Sequence, residues 1–309
     1  MKIAIFGSGG VGGYFGGRLA QAGRDVTFIA RGAHLAAVTE SGLRVDSIGG
    51  DFVVHPARAT DSPQSIGRVE LIILAAKAWQ LDSAIEQMKP LVGERTMILP
   101  LLNGMEHMDT LLAAFGREHV LGGLCRISVF VAGSGHIRHV GVPPFVAFGE
   151  LDNSQSARVD SLREMFSALN GITVDVPADI NVAMWEKFVF ISGTSGVGAF
   201  TRQTIGEFRA NPEARAMLFD AMNETAAVAR ARGIQLSERF VSDTMIRIDT
   251  IQPHIIASMQ KDMMEGRPSE LNEQTGAVIR MGGAAGVPTP THEIIYAKLL
   301  PLENKARGL

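Results

Sequence analysis

The start of the chain places a helical pattern between two short apolar runs. Lys2–Phe6 is an apolar run typical of a β-strand, and a helical pattern covers residues 11–22 after a glycine-rich segment. Gly23 stands where a glycine commonly ends a helix, and residues 26–30 form the next apolar run. The pattern therefore predicts a βαβ unit of about 30 residues.

The strand and helix patterns continue to about residue 176. Apolar runs at residues 43–48, 52–55, 71–75 and 97–99, with a helical pattern at 81–91, predict a parallel sheet covered by helices on both faces. Residues 127–131, 135–139 and 144–148 are short, rich in β-formers and separated by Gly or Pro, which predicts an antiparallel extension of that sheet. A helix at 156–168 and a last strand at 174–176 complete this part.

After Pro177 the strand patterns stop, and helical periodicity continues to the end of the chain. The breaks in it coincide with glycines and prolines, as expected between helices. The predicted fold class is α/β: a Rossmann-type dinucleotide-binding domain over residues 1–179, followed by an all-helical domain over residues 180–309.

Composition narrows the classes of partner. The 309 residues carry a net charge of −3 without a basic cluster, which argues against nucleic acids and anionic membranes as partners. No apolar stretch approaches the roughly 20 residues of a membrane span, and glycines interrupt the N-terminal apolar run before it resembles an export signal. The single cysteine, Cys125, excludes an intramolecular disulfide, and the histidines lack metal-ligand spacing. A cytoplasmic protein without a metal is expected.

The glycine-rich segment has the spacing of a phosphate-binding loop. It follows the first strand, opens the first helix and reads Gly7-Ser8-Gly9-Gly10-Val11-Gly12. In a G-x-G-x-x-G loop the first glycine permits the tight turn, the second lets the backbone approach a pyrophosphate, and the third lets the helix pack on the sheet. Free N–H groups at the helix N-terminus then face the phosphates. Strand, loop and helix in this order predict dinucleotide binding.

The end of the second strand indicates which dinucleotide is bound. NAD-binding proteins usually carry an acid there, which accepts hydrogen bonds from the ribose 2′-hydroxyl. This chain has no acid at that position and places Arg31 there instead. Because a guanidinium forms paired hydrogen bonds with phosphate, Arg31 favours NADP(H).

Several later segments, taken with the glycine loop, resemble one family. They are Lys77-Ala78-Trp79-Gln80, Leu102-Asn103-Gly104-Met105, Trp185-Glu186-Lys187-Phe188, Ser258-Met259-Gln260-Lys261-Asp262 and Gly266-Arg267-Pro268-Ser269-Glu270-Leu271. The set, in order and at compatible spacing over nearly the whole chain, is similar to the ketopantoate reductases (2-dehydropantoate 2-reductases). The resemblance implies NADPH-dependent reduction of a 2-keto acid, ketopantoate to pantoate in coenzyme A synthesis or a related branched 2-keto acid.

The resemblance also implies roles for single residues. Lys187 corresponds to the catalytic lysine, and Glu270 to the acid beside the nicotinamide ribose and the active site. Asn103 corresponds to an asparagine that touches cofactor and substrate, Lys77 and Gln80 to cofactor contacts, and Ser258 to a serine that holds the substrate carboxylate. Hydride addition to a ketone builds negative charge on oxygen, which a nearby ammonium stabilises and protonates. Without the family match, a surface lysine would be the favoured interpretation of Lys187, and a simple turn that of Asn103-Gly104.

Two positions depart from the family pattern. The family carries substrate-binding asparagines one and two turns after the catalytic lysine, where this chain has Ile191 and Ser195. Losing those hydrogen bonds predicts a changed substrate rather than a changed reaction type, with Ser192, Thr194 and Ser195 as candidates to restore polarity.

Two other functions stay open at this point. A 3-hydroxyacid or opine-type dehydrogenase also joins a dinucleotide domain to a helical domain, although the contexts of Lys187 and Glu270 argue against it. A non-catalytic NADP-binding regulator is the other alternative, kept open by Ile191 and Ser195. Apolar helices in the second domain are compatible with a homodimer and equally with a monomer.

Overall fold

The computed structural model describes residues 1–309 and contains ten strands and twelve helices. The strands are β1 (Lys2–Phe6), β2 (Asp25–Ile29), β3 (Leu43–Ser47), β4 (Phe52–Val54), β5 (Arg58–Thr60), β6 (Leu71–Leu74), β7 (Met97–Pro100), β8 (Gly122–Gly133), β9 (His136–Gly149) and β10 (Thr173–Asp175). The helices are α1 (Gly10–Gln21), α2 (Gly32–Ser41), α3 (Leu81–Met88), α4 (Glu106–Phe115), α5 (Ala157–Ser167), α6 (Ile180–Thr201), α7 (Ile205–Ala210), α8 (Pro212–Ala231), α9 (Phe240–Thr250), α10 (Ser258–Met264), α11 (Ala277–Ala285) and α12 (Pro290–Arg307).

Five parallel strands form the first sheet, in the order β5-β2-β1-β6-β7. The strand order reverses at β1, since β2 lies on one side of it and β6 on the other. Open α/β sheets bind ligands at the carboxyl ends of the strands beside such a reversal. The predicted Rossmann-type domain is confirmed, and its ligand edge lies where β1, β2 and β6 end.

The predicted antiparallel extension of this sheet is wrong in two respects. The residues 127–148 belong to two long strands, β8 and β9, and these strands form a second sheet in the order β10-β9-β3-β4, with β8 paired to β9. Gly141, Pro143 and Pro144 do not break β9, because its pairing with β8 passes from Val140 directly to Phe145. The prolines thus lie in a bulge, where their missing N–H groups cost no ladder hydrogen bond.

Contacts between Cα atoms divide the chain into two compact units. The first unit comprises residues 1–102 and 107–180, and the second comprises residues 103–106 and 181–309. The four residues 103–106 therefore group with the helices rather than with the sheets that flank them in sequence, which a linear boundary does not anticipate. No helix in either unit is long and apolar enough to cross a membrane.

Helix α6 is the central helix of the second unit. Its glycines pack against three neighbouring elements: a Cβ on Gly193 would contact Met222 of α8, one on Gly196 would contact Ile295 of α12, and one on Gly198 would contact Gln260 of α10. A helix that contacts others on most sides is apolar around its circumference, as α6 is. Lys187, the predicted proton donor, thus lies on a helix that packs against three others.

Candidate active site

The glycine loop has the geometry of a phosphate-binding loop. Gly7 adopts φ +96°, and a Cβ there would lie 2.5 Å from the backbone nitrogen of Ala76. A Cβ on Gly12 would lie 2.0 Å from the carbonyl oxygen of Gly7, whereas nothing lies within 4 Å of a Cβ on Gly9. Helix α1 begins without a side-chain cap and without an acid in its first turn. Its first N–H groups and positive dipole end are thus suited to an anion, and the open space at Gly9 gives a diphosphate access.

Ser8 stabilises the loop through its side chain. Ser8 is 4% exposed, and its Oγ donates a hydrogen bond to the carbonyl of Ile29 at the end of β2, over 3.1 Å. This bond joins the glycine loop to the strand that precedes Arg31. The side chain of Ser8 therefore orders the two parts of the predicted cofactor site relative to each other.

Arg31 lies exposed between β2 and α2, with its guanidinium held by a neutral partner. Its Nη2 donates to Oε1 of Gln87 on α3 over 2.8 Å, and Gln87 in turn donates to the carbonyl and hydroxyl of Ser83. Because an amide oxygen carries no net charge, this bond orients the guanidinium without neutralising it. Arg31 keeps its full attraction for a phosphate. Sequence reasoning did not identify Gln87, since nothing local relates it to Arg31.

Lys77 and Gln80 follow β6, the neighbour of β1 opposite β2. Both are exposed; Lys77 immediately precedes a short 3₁₀ turn, Ala78–Gln80, and Gln80 is its last residue. The Lys77 ammonium lies 5.3 Å from the centre of the Trp79 ring, within the range of a cation–π interaction. In the first unit, the glycine loop, Arg31 and Lys77 thus all follow strands that end at one edge of the sheet.

Lys187 lies on α6 between two buried aromatic anchors. Trp185 and Phe188 are 3% and 1% exposed and meet edge to face, with ring centres 5.6 Å apart. Lys187 itself is half-buried. The adjacent Glu186 is also half-buried, and burial raises the pKa of its carboxyl, an effect that Arg247 partly offsets.

Asn103 and Glu270 meet in the second unit although 167 residues separate them. Asn103 Nδ2 donates to Glu270 Oε2 over 3.1 Å, and Gln274 Nε2 donates to the same oxygen over 3.3 Å. Glu270 is 6% exposed. Two amide donors on one oxygen orient the carboxylate and leave Oε1 as an acceptor. The structure thus brings together two residues that the sequence analysis assigned to the active site separately.

Glu270 is also held from the preceding residue. The backbone nitrogen of Ser269 donates to the buried carboxylate of Glu303 over 3.0 Å, and Arg307 donates to the Ser269 carbonyl over 2.8 Å. Glu303 is 2% exposed. A buried and fully bonded carboxylate fixes the chain direction just before Glu270.

A π-helical turn, Asn272–Gly276, follows Glu270 and was not predicted from sequence. Such turns are rare and occur frequently at functional sites. Within it, Gln274 Oε1 and Thr275 Oγ1 are buried without a hydrogen-bond partner, and so is Oε2 of Glu273. Burial raises the pKa of the Glu273 carboxyl, and the neighbouring Glu270 adds to this. Helical periodicity carried no signal for Glu273 or Gln274, because tertiary contacts define their surroundings.

The remaining predicted substrate residues form no hydrogen bond with this cluster. Ser258 is exposed at the first residue of α10, and Ser195 is 2% exposed on α6. No hydrogen bond joins Ser195 or Ser258 to Lys187, Asn103 or Glu270. No group of three or more His, Cys, Asp or Glu side chains is arranged to hold a metal ion.

Family models match both units of the chain. Residues 3–153 match the model described as Ketopantoate reductase PanE/ApbA, and residues 179–303 match Ketopantoate reductase PanE/ApbA C terminal. The chain belongs to the ketopantoate reductase family. Family membership makes it an oxidoreductase that acts on CH–OH groups.

Individual relatives are similar to this chain over nearly its full length. The chain is 31% identical to a 2-dehydropantoate 2-reductase of Mesorhizobium japonicum, with 96% of each chain covered. The solved 2-dehydropantoate 2-reductase of Geobacter metallireducens is 29% identical and has a TM-score of 0.90, with 97% of this chain and 99% of that chain covered. A solved complex of D-mandelate dehydrogenase with NADH is 26% identical and has a TM-score of 0.86, with 98% and 99% covered.

Proposed function

We propose that this family member reduces a 2-keto acid with NADPH, and that its substrate is ketopantoate or a related branched 2-keto acid. The observation that carries the proposal is the bond between Asn103 and Glu270 in the unit that also holds Lys187. It gives that unit an oriented carboxylate and a polar amide, in addition to the half-buried Lys187 on α6.

The residues of the first unit fit NADP(H). The loop from Gly7 to Gly12 and the N-terminus of α1 would hold the diphosphate, and Arg31 the 2′-phosphate. Lys77 and Gln80, which follow β6, would add further contacts with the cofactor. When bound, the reduced nicotinamide supplies a hydride to the substrate.

The residues of the second unit would stabilise the charge that develops on the substrate and would donate the proton to it. As hydride reaches the keto carbon, negative charge develops on its oxygen, and the Lys187 ammonium stabilises this charge and donates the proton. Asn103 and Ser258 would orient the substrate by donating hydrogen bonds to its carbonyl and carboxylate. Glu270 Oε1 would accept a hydrogen bond from a hydroxyl of the bound ligands.

A second candidate is the interconversion of aryl 2-hydroxy and 2-keto acids with NADH. The likeness to D-mandelate dehydrogenase in complex with NADH favours it. This second candidate has the same reaction type as the first, with a different substrate and a different cofactor.

The test is the oxidation of NADPH or NADH, followed by the loss of absorbance of the reduced nicotinamide, against ketopantoate, other branched 2-keto acids, phenylglyoxylate and acetoacetate. We expect turnover of a branched 2-keto acid with NADPH in preference to NADH. Turnover of acetoacetate alone would point to a 3-hydroxyacid dehydrogenase. Binding of NADPH without turnover of any 2-keto acid would support a regulator instead.

Gly104→Ala is expected to lower kcat/KM by about 100-fold, the loss typical of a misplacement near 1 Å. Gly104 adopts φ +96°, and a Cβ there would lie 2.6 Å from the carbonyl oxygen of Glu273. The substitution therefore pushes the π-helical turn away and parts Asn103 from Glu270. Steady-state kinetics with the best 2-keto acid of the panel measure the effect.

Gly233→Ala is the matched control for Gly104→Ala. Gly233 has a similar φ of +87°, but nothing lies within 4 Å of a Cβ there. It carries the same backbone strain, of order 1–3 kcal/mol, without the collision. Equal kinetic losses in both variants would show that Gly104 affects stability and not the site.

A further inference from the structure

The side chains around Lys187 on α6 are apolar in both directions along the helix. Residues three and four positions away are its neighbours on the helix surface. They are Ala183 and Met184 on one side and Phe190 and Ile191 on the other. Met184 is 4% exposed, whereas Ala183, Phe190 and Ile191 are only half-buried. A substrate whose carbonyl meets the Lys187 ammonium therefore contacts carbon whichever way it extends along α6.

The hydroxyl groups of Ser192 and Thr194 do not change this. Ser192 Oγ pairs with Thr225 Oγ1 of α8 over 3.1 Å, and Thr194 Oγ1 donates to the carbonyl of Phe190 over 2.7 Å. Ser195 is 2% exposed and lies two turns from Lys187. Ser192 and Thr194 were expected to restore polarity to the site, but their hydroxyls form hydrogen bonds within the protein instead.

We propose that this face of α6 selects 2-keto acids with a hydrocarbon substituent, alkyl or aryl, and that Ile191 is a residue that determines this specificity. The inference rests on the proposed function and narrows its substrate class. A substrate hydroxyl placed against Ile191 and Phe190 gives up its hydrogen bonds to water and finds no partner in either side chain. An apolar site discriminates against an added hydroxyl by up to about 100-fold.

The experiment compares two substrates that differ by one hydroxyl group. Ketopantoate and 3,3-dimethyl-2-oxobutanoate share the branched skeleton, and the second lacks the hydroxyl. We expect wild-type kcat/KM to be ~10- to 100-fold higher for 3,3-dimethyl-2-oxobutanoate. In Ile191→Asn the preference should fall at least tenfold, because the amide both donates to and accepts from the hydroxyl.

Two further variants control for folding and for volume. Ile191→Leu keeps an aliphatic side chain of the same size and is expected to keep the preference. Ile191→Thr retains the branched Cβ while adding a hydroxyl, and it replaces Ile191→Asn if thermal unfolding shows that Asn destabilises α6. A wild-type preference for ketopantoate, or a preference that neither polar variant alters, would overturn the inference.

Failure of the proposed function gives a different result. If the wild-type protein reduces no 2-keto acid, the reductase proposal fails, and the substrate class is tested by binding alone. Calorimetry in the presence of NADP⁺ then compares pantoate with 2-hydroxy-3,3-dimethylbutanoate. Tighter binding of the acid without the second hydroxyl, lost in Ile191→Asn, supports the inference, and equal or weaker binding contradicts it.

Discussion

Lys187→Met is expected to lower kcat by about 10²–10⁴-fold and to leave the affinity for NADPH unchanged. Methionine keeps the length and helix propensity of lysine but supplies neither the proton nor the positive charge for the oxygen that receives it. The residues proposed to hold the diphosphate and the 2′-phosphate, the glycine loop and Arg31, lie in the first unit, so the substitution on α6 leaves them unchanged. Single-turnover kinetics give the rate, and fluorescence titration with NADPH gives the affinity.

Lys298→Met is the control for Lys187→Met, since it removes the same charge from the same unit. Lys298 is exposed on α12, and its ammonium lies 3.9 Å from the centre of the Phe200 ring. Its loss costs a surface cation–π contact, about 0.5–1 kcal/mol of stability, and no catalysis. An unaltered rate in Lys187→Met, or equal losses in the two variants, would exclude Lys187 as the proton donor.

The fold could be predicted from local sequence patterns wherever a strand, turn or helix is encoded by its own segment. The glycine loop with its flanking strands was predictable because the turn, the helix start and the strand each have a local signature. Strand β5 was missed, since Arg58–Thr60 is three residues long with a single apolar side chain. The bulge in β9 was missed for a different reason. Prolines are tolerated there because β8 does not pair with residues 141–144, and the sequence of one strand does not show which residues of its partner it pairs with.

The site divides in the same way. Lys187 and Glu270 were predicted because sequence motifs mark them, and their hydrogen-bond partners were not. Gln274 donates to Glu270, and Gln87 holds Arg31, yet both look like ordinary surface glutamines in the sequence. For Ser192 and Thr194 the error was the opposite one. The sequence analysis expected their hydroxyls to be available to the substrate, whereas in the structure they form hydrogen bonds within the protein. Two of these bonds, Gln87 to Arg31 and Ser192 to Thr225, join residues far apart in the sequence, whereas the other two span one helical turn.

Arg31→Gln is expected to weaken NADPH binding by ~10- to 100-fold and NADH binding hardly at all, because a charged hydrogen bond to phosphate contributes about 1.5–3 kcal/mol. The two cofactors differ by the 2′-phosphate, and glutamine retains polarity without charge. Arg31 is exposed and bonded to Gln87 alone, so stability should change by less than about 0.5 kcal/mol. Because exposed charges are screened by salt, the preference for NADPH should also shrink as ionic strength rises.

Arg58→Gln is the matched control for Arg31→Gln. Arg58 lies on the neighbouring strand β5 and is equally exposed, but Asp25 pairs with it at 2.6 Å. Its charge is therefore already compensated, and we expect both cofactors to bind Arg58→Gln as they bind the wild type. Equal weakening of NADPH and NADH in Arg31→Gln would mean that Arg31 supports the loop as a whole. The 2′-phosphate would then need another cation, and Lys77, which follows the strand on the other side of β1, is the next to test.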